Sequence, residues 1–61
     1  VAIQRAAADI HERANRAPVP FSEAEAIANH HGMNLSLVLA HIALTEMCQP
    51  DYQASVIRCR A

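Results

Sequence analysis

The chain has no lysine and no tryptophan, one glycine, and a single phenylalanine and a single tyrosine among its 61 residues. Without lysine, five arginines face six carboxylates, and the net charge of −1 gives no overall field to draw polyanions. Four histidines could raise that charge only in mild acid. Scarce glycine and scarce aromatics leave little turn or strand material for a multi-stranded sheet, and all-β or collagen-like chains are excluded. Long apolar runs are missing too: the richest stretch, Leu35 to Leu44, is broken by Ser36 and His41, so no membrane span is expected. The chain opens at Val1 with no basic stretch leading into an apolar one, so nothing resembles a secretory signal, and a cytoplasmic location is expected.

What is present is aliphatic. Hydrophobic residues make up 52% of the chain and aromatics 3%, so the core has to be built from Ala, Ile, Leu, Val and Met, a mixture that favours helices. The length fits one domain spanning residues 1–61, whose single small core leaves a narrow margin of stability. The expected fold is all-α, a small bundle of three to four short helices. Two cysteines, Cys48 and Cys59, are too few for a disulfide framework and read as small buried apolar residues. A bridge from the end of one helix to the next is the other possibility, and the Cα separation decides it.

Residues 2–16 have helical periodicity. Ile3, Ala6, Ala7, Ile10, Ala14 and Ala17 line one side, and Gln4, Arg5, Asp9, Glu12, Arg13 and Arg16 the other. Arg5 with Asp9, Asp9 with Arg13 and Glu12 with Arg16 are each four apart, adding about 0.2–0.5 kcal/mol per pair on what reads as a solvated face. Pro18 and Pro20 stop this helix. Ser22 and Glu25 have capping-box spacing for a second helix running to about His31, with Ala24, Ile27 and Ala28 inward and Gly32 as its left-handed terminator. Asn34 caps a third helix from Leu35 to about Cys48, with Met33 placed to staple against Val38 and Pro50 beyond its end. Tyr52, Val56 and Cys59 then predict a short helix or turn from Asp51 to Arg60, with Arg58 and Arg60 at its C-terminal end.

The third helix carries two apolar faces. At 100° per residue, Leu35, Val38, Leu39 and Ile42 gather on one side, and Leu37, Ala40, Leu44, Met47 and Cys48 on the other. One surface helix needs one such stripe. The second therefore calls for a covering helix of the same chain, which would make this helix central to the bundle, or for a partner chain, and the five residues of the second stripe form the candidate partner interface.

Residues 22–43 resemble the helix-turn-helix unit of phage-repressor-like DNA-binding proteins: a small residue at Ala28, Gly32 four later, Met33 after it, then Val38 and Ile42 packing the second helix. The resemblance covers about a third of the chain and implies a helix pair and a DNA-binding role, with Asn34, Ser36 and His41 as the polar groups available to bases. The chain departs from that pattern at His31, which stands where an apolar residue is usual. It departs again in having no lysine or arginine between Arg16 and Arg58 for phosphate contacts. Pro18 to Glu46 also resemble the segment opening the catalytic domain of iron–sulfur L-serine dehydratases. That family's cluster cysteines have no counterpart here, so the likeness implies no activity.

No phosphate-binding glycine loop, nucleophile elbow or paired metal-ligand motif occurs. On a continuous helix His41 and Cys48 stand about 10 Å apart along the axis, too far for a nucleophile and its base. A zinc site from His41, Cys48, Cys59 and another histidine lacks the usual ligand spacings, so neither metal nor cofactor is expected. His30 and His31 suit a helix C-terminus, where their cationic forms are favoured, with stability or association weakening as pH rises. The sequence names no activity. Its leading reading is a non-enzymatic interaction module, a homodimer or a small regulator docking on a larger protein; the alternative is a helix-turn-helix DNA-binding regulator.

Overall fold

The computed structural model describes residues 1–59. The elements run α1 (Ala2–Ala14), β1 (Val19–Pro20), α2 (Phe21–His30), α3 (Leu35–Thr45), β2 (Cys48–Asp51) and β3 (Val56–Cys59). The strands form one antiparallel sheet in the order β1-β3-β2, so the last strand lies in the middle.

This corrects the expected all-α bundle: the fold is mixed, three helices and a three-stranded sheet. Of the helix or turn expected from Asp51, the turn forms over 52–55, but the helix does not: Val56–Cys59 is strand β3, and Arg60, placed in that helix, lies outside the described residues. The cause is local. Asp51 Oδ1 accepts the N–H groups of both Gln53 and Ala54 at 3.1 Å, a side-chain turn that competes with helix formation. Ser55 then takes φ 55° and sends the chain back. Along β3, Ile57 is buried, Arg58 exposed and Cys59 half-buried, the alternation of a strand. Pro20 and Pro50 fall on the two edge strands, where a missing N–H breaks no ladder.

The helices keep most of their expected faces. α1 buries Ala6, Ala7, Ile10 and Ala14. It ends at Ala14 rather than Arg16, in a turn where Arg16 and Ala17 both donate to the Arg13 carbonyl, and Ala17 is exposed. α2 starts one residue before Ser22, with Pro20 as its N-cap and no side-chain cap, so the expected capping box does not form. Its C-terminus is a Schellman turn: Met33 N–H donates to Ala28 O at 2.8 Å and Gly32 N–H to Asn29 O at 2.9 Å, with Gly32 at φ 72°. Asn34 caps α3 by accepting from Ser36 N–H at 2.7 Å. α3 stops at Thr45 rather than Cys48 because Glu46 adopts the left-handed conformation.

Alanines at 6, 7, 24 and 28 let the helices approach closely, and Ile10, Val38, Ile42 and Ile57 fill the space between them and the sheet. Val19 and Cys48 complete that core from β1 and β2. Phe21 ties the start of α2 to the hairpin, its ring edge-on to Tyr52 at 5.8 Å and its N–H on Ser55 O. His31 Nε2 lies 3.4 Å from Asp9 Oδ2 and joins the α2–α3 turn to α1, where the Asp9–Arg13 and Glu12–Arg16 pairs also form.

Candidate functional site

α3 presents two faces of different fate. Val38, Leu39 and Ile42 enter the core. On the far side Leu37 is 56% exposed and Leu44 85%, with exposed Ala40 between them. These three lie at i, i+3 and i+7, one ridge about 10 Å long. Among the described residues neither another helix nor the sheet covers that ridge. Met47, assigned to the same stripe, is half-buried and packs on the core. Cys48 does not belong to this face at all. It lies on β2, beyond the left-handed Glu46, and is 3% exposed. Extrapolating the helix by three residues caused that misplacement.

The polar residues considered for base contacts are also placed. Asn34 and Ser36 are exposed at the start of α3 and His41 is half-buried midway along it. The Asn34 carboxamide oxygen is committed to its cap. A groove of about 520 Å³ runs along α2 beside the start of α3, lined by Glu25, Asn29, Asn34, Leu35 and Ser36. Of the residues lining it the charged one is Glu25; α2 also carries Glu23, which pairs with Arg13 of α1 at 3.5 Å, and neither α2 nor α3 contains lysine or arginine. A phosphate backbone at this groove would meet the Glu25 carboxylate.

A second constellation joins α1 to the hairpin. Cys48 and Cys59 are direct partners across the β2–β3 ladder. His11 Nδ1 lies 3.1 Å from Cys48 Sγ, and the Cys59 thiol donates to Asn15 Oδ1. Burial pushes the Cys48 thiol up to about 11, and the neighbouring Cys59 adds to the rise. On its own such a thiol is not a primed nucleophile at neutral pH; it acts only with a base to take its proton. Beside Cys59 opens a shallow cavity of about 410 Å³, bordered by Asn15, Arg16, Pro18 and Arg58. From the sequence, His41 is the histidine weighed against Cys48 and set aside as too distant. The partner is His11, thirty-seven residues away on the half-buried edge of α1, and its place at the border of the apolar stripe, next to Ile10, was the only signal. Among the described residues no group of three or more His, Cys, Asp or Glu side chains is gathered to hold a metal ion. None of their helices is long and apolar enough to cross a membrane.

No protein-family model, no curated protein and no solved structure matches the chain.

Proposed function

We propose that this chain is a non-enzymatic interaction module that docks on another protein, a larger one or a second copy, through the outer ridge of α3. The observation that carries the reading is the pair Leu37 and Leu44, 56% and 85% exposed one above the other with Ala40 between. A lone exposed leucine needs no explanation, but two on one ridge supply the i, i+3, i+7 anchors by which a helix seats in an apolar groove. The thiol–imidazole pair adds no catalytic reading, because its sulfur is buried away from any substrate and burial raises its pKa to about 11.

The test is Leu44→Asp beside Leu37→Asp. Both side chains lie outside the core, so each variant keeps the wild-type melting temperature within the range of ordinary surface changes, about 0.5 kcal/mol. The parent is expected to show a concentration-dependent mass increase in sedimentation, or capture of a docking partner, and each variant is expected to lose it. Folded variants with unchanged mass and unchanged capture refute the reading.

One observation favours the DNA-binding alternative: α2 and α3 are joined by a four-residue turn containing Gly32, His31 to Asn34, as in a helix-turn-helix. That alternative requires duplex binding that weakens steeply with salt and is lost on changing Ser36 or His41. The carboxylates on α2 and the lack of lysine and arginine on either helix predict no duplex binding even at low salt.

A further inference from the structure

We propose that Cys48 and Cys59 form a reversible cross-strand disulfide by exchange with a small, carboxylate-bearing disulfide, Cys59 reacting first and Cys48 closing the bridge with His11 as its base.

The register supplies the geometry. Directly opposed residues of an antiparallel ladder alternate between hydrogen-bonded and non-hydrogen-bonded pairs. Pro50 has no N–H, so Pro50↔Ile57 is a non-hydrogen-bonded pair; two residues on, Cys48↔Cys59 is non-hydrogen-bonded as well. Such pairs bring Cα atoms to about 4.5 Å with side chains on one face. That separation falls inside the range a disulfide spans, so closure needs no backbone movement.

The two thiols are unequal. Cys59 is half-buried at the lip of the cavity, with Arg16 and Arg58 at its border. Among the described residues Arg16 pairs with exposed Glu12 and Arg58 with half-buried Asp51 at 3.9 Å, surface pairs worth little enough to exchange for an incoming carboxylate. Cys48 lies behind, out of reach of a bulky reagent. In the first step Cys59 gives its proton to water, and its thiolate attacks one sulfur of the small disulfide RSSR. That S–S bond breaks, RS⁻ leaves, and a mixed disulfide remains on Cys59. In the second step Cys48 passes its proton to His11 Nδ1 and attacks the Cys59 sulfur, expelling the second RS⁻. His11 returns the proton to solvent. Two protein thiols are oxidised and one RSSR is reduced to two RSH, so the same thiol in excess reopens the bridge.

Oxidised glutathione serves as the probe, with intact mass and thiol count as readouts. The wild-type chain is expected to pass through a single glutathione adduct to a bridged monomer two hydrogens lighter, and to return to the dithiol with excess reduced glutathione. Bridging closes a short loop and is expected to raise the melting temperature by roughly 10 °C. Cys48→Ala should stop at the adduct on Cys59, and Cys59→Ala should give neither adduct nor bridge. His11→Gln keeps a helix-compatible side chain and is expected to accumulate the adduct, its closing step slowed at least about tenfold near pH 7. Stable adducts on both cysteines, a disulfide-linked dimer in place of the bridged monomer, or bridging no faster in native buffer than in urea would each overturn the proposal. So would His11→Gln closing at the wild-type rate. None of these outcomes depends on what α3 binds.

Discussion

At single residues, the local chemistry is written in the sequence and the long-range chemistry is not. Gly32 is at φ 72° and an added Cβ would meet nothing within 4 Å, so Gly32→Ala is expected to lose about 1–2 kcal/mol from backbone strain alone, read by urea denaturation. Asn34→Ala should cost about 1 kcal/mol through the lost cap in the same assay. Both roles were legible because each depends on neighbours a few residues away. The Cys48 environment was not, since His11, Cys59 and the core meet it only after folding. Its pH effect follows from the direction of the shift. The folded thiol titrates near 11 against an ordinary 9.0, so between those values the folded state keeps a proton that the unfolded chain has released. Stability is then complete below pH 9 and declines as pH rises to 11, by on the order of 2 kcal/mol. Denaturation midpoints across that window should fall more steeply for the parent than for Cys48→Ala; parallel slopes would count against it.

At the scale of elements, α1, α2 and the inward side of α3 follow their periodicity, and the C-terminal hairpin does not. Tyr52, Val56 and Cys59 have helical spacing, yet only the first lies in the turn, and the other two lie on a strand. In so short a segment a period near 3.6 and a period of 2 are poorly separated, and the Asp51 side-chain turn decided between them. Of the two coverings open for the second stripe of α3, a helix of the same chain or a partner, the first is not found among the described residues. The chain after Thr45 turns to pair in a sheet instead of folding back over Leu37 and Leu44. The two sides of α3 therefore predict opposite responses to truncation. Ile42→Ala should cost about 2–5 kcal/mol, whereas Leu44→Ala should stay within about 0.5 kcal/mol, as thermal melts will measure.

For the molecule as a whole, the aliphatic composition was correctly read as a core without aromatic mass, but not as one closed by a sheet. Helix propensity dominates the composition, and strands of two and four residues leave little trace in it. Their weight is larger than their length. β3 pairs with both other strands and inserts Ile57 among the helices. In a domain with so small a margin, a chain ending at Ser55 is expected to lose cooperative thermal unfolding altogether, followed by helix signal in circular dichroism. A truncated chain that still melts sharply would show that the helices suffice alone.

The sheet's order also has a temporal side. During synthesis β1 and β2 leave the ribosome before the strand that must sit between them, so neither can pair until β3 follows. The three helices can collapse earlier on local contacts, while the two waiting edges stay unsatisfied. Their prolines, Pro20 and Pro50, then protect the nascent chain: each removes a donor from an edge that a neighbouring polypeptide could otherwise zip onto.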